Sequence, residues 1–194
     1  LIVSWVMEVA KIPVIVKLTP NISHIEDPAL AAKAGGGNAV SLINTIQSIV
    51  GLDIDTFNAY PNVDGNSTNG GYCGPAVKPI ALNMVKNVAK IPNFNLPISG
   101  IGGVENWRDA VEFVLLGAGT VQVCTAVMHY GFGIIREIVS GFEQYMVDKG
   151  FNTVDAASQL RDNGRFAADL IQRLAVQSGF KDVAYAARPA TTAE

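Results

Sequence analysis

Cysteine is scarce in this chain: Cys73 and Cys124 are the only two in 194 residues, with no C-x-x-C spacing and no Cys/His cluster. That excludes a self-contained iron–sulfur centre or a structural zinc site with the usual ligand spacing. It also fits a chain kept in the reducing cytoplasm. Charge is sparse as well. Only 16% of residues are charged and the formal net charge is −3, so nothing general draws nucleic acid or an acidic membrane surface. No apolar run approaches the roughly 20 residues that span a bilayer. The apolar start, "LIVSWVMEVAK", has neither a basic leader nor a clear cleavage site; it reads as a helix from the middle of a fold rather than a signal peptide. The pattern G-x-x-x-x-G-K-[ST] is missing, which disfavours a nucleoside triphosphate, and "GIGGV" does not extend to G-x-G-x-x-G.

What is present is the texture of a globular α/β chain, 49% hydrophobic with 19 glycines and 9 prolines. Its length suits one domain or a large piece of one. Four short runs rich in β-branched residues, "IPVIVKL" (12–18), "AVSLIN" (39–44), "LPISG" (96–100) and "TVQVC" (120–124), read as strands buried on both faces. Between them the apolar period changes to that of a helix. Trp107, Ala110, Val111, Val114 and Leu115 form one stripe that stops at Gly117, a good C-cap. Ile80, Met84, Val85 and Val88 form another, and Ile135, Ile138, Val139, Phe142 and Met146 a third, ending at Lys149–Gly150. The first interstrand helix has two possible starts. Ser23 with Glu26 makes a capping box; Asp27 with Pro28 at the first helical position is preferred, because it keeps proline out of the helix interior. Trp5 and Trp107 are read as packing residues at helical spacing, and His24 and His129 as solvated.

The order, one helix and then β-α four times, implies a parallel sheet. One connection breaks the rhythm. About thirty residues after Asn44, through "GLDIDTFNAYPNVDGNSTNGGYCGPA", precede the next helix, and loops of that length in compact domains are usually functional or lid-like. After Gly150 the texture changes again. "NGRFAADLIQRLAVQSGF" fits one amphipathic helix through Phe166, Leu170, Ile171 and Leu174, and "AARPATTAE" a loose end. The expected division is therefore residues 1–150 as an α/β unit and 151–194 as a helical or irregular tail.

In parallel α/β folds the binding face lies at the carboxyl ends of the strands. Those ends carry Lys17, then Asn44 and Thr45, then Gly100 to Gly103, then Cys124 and Thr125. An apolar strand ending in lysine either lets its ammonium reach solvent or a core carboxylate, or aims it at a site; a buried, unpaired ammonium is costly. Glycine lets backbone N–H groups approach an anion closely, and in βα-barrels a phosphate commonly rests between the loops after the last two strands. Gly102, Gly103 and Thr125, with Gly74 of "GGYCGPA" from the side, make that cradle, unless these glycines only make turns. A sugar-phosphate isomerase is the poorer fit, since no strand ends in a carboxylate base.

Taken together, "VIVKLTPN", "SLINT", "GGYCGPAVKPIAL", "LPISGIGGV", "GAGTVQVCTA" and "YGF" resemble the FMN-binding barrel of dihydropyrimidine dehydrogenases, the bacterial NAD-dependent kind above all, within the dihydroorotate dehydrogenase superfamily. The resemblance runs from Leu1 to about Phe151. It implies the C-terminal half, about four βα units, of a TIM (β/α)8 barrel. It implies that Lys17 lies at the pyrimidine edge of FMN, that Asn44 and Thr45 bind a pyrimidine substrate, and that Gly74, Gly102, Gly103, Cys124 and Thr125 surround the ribityl phosphate. The implied reaction is reduction of the 5,6 double bond of uracil or thymine, with NADH-derived electrons from a partner flavoprotein subunit. The family's catalytic cysteine lies before the matched region, and its iron–sulfur module after the barrel is replaced here by a cysteine-free tail. A partial barrel with that cysteine missing is expected to be inactive alone and to self-associate through its open edges. The alternatives are a non-catalytic half-barrel that binds flavin or phosphate, and an enzyme of the dihydroorotate dehydrogenase type.

Overall fold

A computed structural model describes residues 1–148; the helical tail expected over 151–194 lies outside them. Along the chain, α1 (Ile2–Val9) leads into β1 (Ile15–Lys17), then α2 (Glu26–Ala34) and β2 (Ala39–Leu42). Six short strands follow: β3 (Ile46–Ser48), β4 (Gly51–Asp53), β5 (Asn58–Tyr60), β6 (Asn62–Val63), β7 (Asn66–Ser67) and β8 (Gly70–Tyr72). A 3₁₀ turn, Pro75–Val77, opens α3 (Lys78–Ala89), and β9 (Ile98–Ile101), α4 (Trp107–Leu115), β10 (Thr120–Gln122), α5 (Thr125–Tyr130) and α6 (Gly133–Asp148) complete the order.

The four β-branched runs form one parallel sheet in the order β1-β2-β9-β10. Each strand is shorter than its apolar run, because the flanking residues leave the ladder to form the loops. Side chains alternate between the faces of a strand, and register aligns them across the sheet. Lys17, Ser41, Ser99 and Thr120 stand opposite one another in one row, with Gln122 further along the same face. Val16, Val40, Leu42, Ile98, Gly100 and Val121 occupy the other face.

Helices α2, α3 and α4 pack on that second face. Val40, Leu42, Val85, Val88 and Phe113 have no exposed surface there, and burying each such side chain contributes about 1.5–3 kcal/mol. Gly100 has no side chain because Phe113 lies against its backbone. Helix α4 shows how sequence signals set its ends. Asn106 caps it through bonds from the Arg108 and Asp109 N–H groups, and Asp109 answers with a bond to the Asn106 N–H. At the other end Gly117 takes φ +110°, and the N–H groups of Gly117 and Ala118 bond back to Val114 and Phe113, the paired closure that glycine favours.

Several expectations are corrected. Helix α2 starts at Glu26 with Ile25 as its cap, so neither Ser23 nor Asp27 caps it and Pro28 is its third residue. Pro28 costs no hydrogen bond there, since the first N–H groups of a helix have no partner within it. The thirty-residue connection is an arm of antiparallel ribbons, β3 with β8, β4 with β5 and β6 with β7. Trp107 is half-buried against Gly141 and Tyr145, but Trp5 is 59% exposed: α1 seats Val3 and Met7 against Gly35 and Gly36 and leaves Trp5 on the opposite face. His24 and His129 are exposed. Among the described residues no helix is long and apolar enough to cross a membrane, and no group of three His, Cys, Asp or Glu is placed to hold a metal.

Candidate active site

One cleft of about 100 Å³ opens at the carboxyl ends of the four parallel strands. Lys17 ends β1 on its rim, and Asn44 with Thr45 follows β2. Gly102 and Gly103 line it after β9, Cys124 and Thr125 after β10, and Gly74 from the arm's return. All eight residues read as site candidates therefore share one cleft, with Lys17 on the same rim as Gly103 and Thr125. Pockets that enclose a whole small-molecule ligand span roughly 300–1,000 Å³; this cleft takes one end of such a ligand and leaves the rest on the open face.

The glycines are required by geometry. Gly74, Gly102 and Gly103 have φ of +85°, +129° and +74°, a region costly for residues with a Cβ. A Cβ on Gly103 would stand 2.8 Å from the Gly74 carbonyl oxygen and 2.9 Å from Lys78 Cβ. The two glycine loops thus touch, backbone to backbone, and form one wall. Thr125, the first residue of α5, joins that wall by donating from its hydroxyl to Cys73 Sγ at 3.4 Å.

A polar network behind the wall was not read from the sequence. Asp109 is 6% exposed. Its Oδ2 accepts from the N–H groups of Glu105 and Asn106 at 2.9 and 3.1 Å and from Asn106 Nδ2 at 2.9 Å. Its Oδ1 meets Lys78 Nζ at 2.6 Å, and Glu112 meets the same ammonium at 2.8 Å. Asp109 thus ties the loop after Gly103 to the first residue of α3. Burial lowers the Lys78 pKa, but the hydrogen bonds to Asp109 and Glu112 outweigh it and hold it above the ordinary lysine value of 10.5. The Asn106–Asp109 spacing is a capping signature legible in sequence; its link to Lys78 is not.

The floor is polar too. Gln122 Nε2 donates to Ser41 Oγ at 3.0 Å and Ser99 Oγ at 2.8 Å, and Thr120 donates to Ser99 at 2.8 Å. Gln122 lines the cleft. An amide inside the apolar run "TVQVC" was the available signal. Lys17, by contrast, has no hydrogen bond or ion pair among the described residues, and its side chain is exposed.

The glycine wall fits an anion, and a cation, an amide and a hydroxyl at Lys17, Asn44 and Thr45 stand on the cleft's other loops. A phosphorylated cofactor with a polar ring system has that distribution of groups. The family model described as dihydroorotate dehydrogenase matches residues 1–146. The chain is 42% identical over 163 residues to the NAD-dependent dihydropyrimidine dehydrogenase subunit PreA of Escherichia coli (strain K12), covering 84% of this chain and 40% of that protein. It is 42% identical over 156 residues to the chloroplastic dihydropyrimidine dehydrogenase (NADP(+)) of Arabidopsis thaliana, covering 78% and 37%. It is 43% identical over 153 residues to the catalytic subunit of dihydroorotate dehydrogenase B (NAD(+)) of Pyrococcus horikoshii, covering 79% and 48%. The chain spans less than half the length of each of these relatives.

Proposed function

The chain belongs to the dihydroorotate dehydrogenase family, and from that premise we propose that it forms the C-terminal four βα units of a TIM barrel that binds FMN and reduces the 5,6 double bond of uracil or thymine. The electrons come from NADH through a partner flavoprotein subunit. The observation that carries this reading is the shared cleft: a glycine wall at one end, a lysine with no partner among the described residues on the same rim, and Asn44 with Thr45 beside it.

The residues fit the cofactor. Gly102 and Gly103 line the cleft with bare backbone, since a Cβ would meet Ala81 and Ile43 at the first and Gly74 and Lys78 at the second; with Gly74 and the Thr125 hydroxyl, this end would hold the ribityl phosphate. Lys17 would supply a positive charge to the pyrimidine edge of the ring. These residues would hold FMN, whose chemistry when bound would be hydride transfer to the substrate double bond. Asn44 and Thr45 orient the substrate; an amide that both donates and accepts matches the alternating donors and acceptors of a pyrimidine ring. Cys73 and Cys124 both stand at the anion end, near Thr125. Neither serves as the proton donor to the substrate, so the 194-residue chain alone is expected not to reduce pyrimidines.

A dihydroorotate dehydrogenase reading keeps the same cofactor and is supported by the 43% identity to the Pyrococcus catalytic subunit, beside 42% to the dihydropyrimidine dehydrogenase subunit. Titrating the purified chain with FMN and with riboflavin tests the cofactor; the phosphate end predicts clearly tighter binding of FMN. Adding uracil, thymine and orotate to the FMN-loaded chain tests the substrate through the flavin's visible spectrum. Equal affinity for riboflavin and FMN defeats the phosphate assignment. A response to orotate and not to uracil or thymine moves the assignment to the second reading.

A further inference from the structure

Asn21 lies four positions beyond Lys17, on the loop after β1, outside the cleft's lining. Its hydrogen bonds nonetheless converge on the substrate rim. Its own N–H and its Nδ2 both donate to Thr19 Oγ1, at 3.2 and 3.0 Å, which fixes the side chain. Nδ2 also donates to the Thr45 carbonyl at 3.2 Å, while Oδ1 accepts from the Gln47 N–H at 2.8 Å. A carboxamide has one donor face and one acceptor face, as a backbone peptide does. Here it acts as a strand's backbone would, bridging to residues 45 and 47 where the ladder of β3 with β8 begins. On its other side Thr45 is packed against the arm's return, since a Cβ on Gly71 would lie 2.5 Å from Thr45 Oγ1.

We propose that Asn21 is the positioning residue of the substrate rim: by gripping the backbone of Thr45 and Gln47 it fixes Asn44 and Thr45 relative to Lys17 and anchors the root of the arm. The inference rests on the reading that Asn44 and Thr45 meet the substrate, but the grip itself does not. Asn21 reaches neither glycine loop, so its role is separable from holding the phosphate.

Two substitutions divide the roles. Asn21→Ala removes the bonds to Thr45 and Gln47 along with the side-chain bond to Thr19. Asn21→Asp keeps the acceptor for Gln47 but replaces the donor to Thr45 with an oxygen that repels its carbonyl. In the full chain loaded with FMN, both variants should bind FMN within about twofold of the parent. Both should weaken the spectral response to uracil or orotate about tenfold, the loss of one or two hydrogen bonds of ordinary strength. Amide hydrogen exchange at Gln47 should accelerate in Asn21→Ala and stay near the parent rate in Asn21→Asp. Unchanged Gln47 exchange in Asn21→Ala, or equal losses of FMN and pyrimidine affinity, overturns the proposal. If the parent chain binds no FMN, the functional reading falls by itself, and Gln47 exchange still decides for or against the grip.

Discussion

Substituting alanine for Gly103 tests whether the two glycine loops form a single wall. Two separate costs are expected. The residue sits at φ +74°, where a Cβ costs about 1–2 kcal/mol. The new methyl also meets backbone on the facing loop, 2.8 Å from the Gly74 oxygen and 3.0 Å from Pro75 Cα. Backbone cannot swing aside as a side chain does, and overpacking of this kind costs about 1–3 kcal/mol. The sum is about 2–5 kcal/mol. With a urea m-value of about 2 kcal/mol/M, the unfolding midpoint should fall by roughly 1–2.5 M. Gly65 is the control. It has φ +79° and nothing within 4 Å of a built Cβ, so Gly65→Ala carries the backbone cost alone and should shift the midpoint by about 0.5–1 M. Because Gly103→Ala also pushes the loops apart, it should reduce FMN affinity far more than riboflavin affinity. A Gly103→Ala midpoint no lower than that of Gly65→Ala refutes the loop contact, and parallel losses of FMN and riboflavin refute its link to the phosphate.

Other outcomes follow from the same geometry. Asp109→Ala strips a buried carboxylate of four bonds and leaves Lys78 only Glu112; because Lys78 is partly exposed, a loss of about 2–3 kcal/mol is expected in urea unfolding, below the full cost of breaking a buried pair. Lys78 has its pKa raised in the folded state, so its contribution to stability is complete below the unfolded value and disappears as pH climbs past 10.5. Stability measured from pH 9 to 12 should fall there in the parent and less steeply in Lys78→Met. Lys17→Ala should bind FMN nearly as the parent does but lower its two-electron potential by roughly 20–60 mV, the equivalent of about 1–3 kcal/mol of lost charge-assisted bonding; an unchanged potential makes Lys17 a bystander. Ile2, Trp5, Val6 and Val9 leave an apolar stripe on α1 exposed, so the chain should self-associate, and Trp5→Glu should shift it toward monomer in size-exclusion chromatography.

Much of the scaffold was legible because it is written in local chemistry. The β-branched runs marked the four parallel strands, and Gly117 and the Trp107 stripe marked α4, since each depends on neighbours within a few residues. The arm was not legible as ribbons. Its strands have two or three residues each, too short for alternation to stand out, and residues such as Asn62, Asn66 and Ser67 read as turn formers. The start of α2 was misplaced because Pro28 is tolerated at any of the first helical positions, so it cannot by itself mark the first. Trp5 was misread because spacing reveals that a face is apolar and not whether anything covers it.

The sequence by itself determined which residue types end each strand, and so which chemistry was available: a lysine, an amide with a hydroxyl, and two glycine loops. Only the tertiary structure decided that they meet. Side chains alternate along a strand, so a slip of one residue would turn Lys17 or Gln122 to the opposite face. Register, set by packing of the whole sheet against α2, α3 and α4, chose the face. The bonds from Asp109 to Lys78 and from Asn21 to Gln47 join residues far apart in the chain, and their geometry exists only once the loops are folded together.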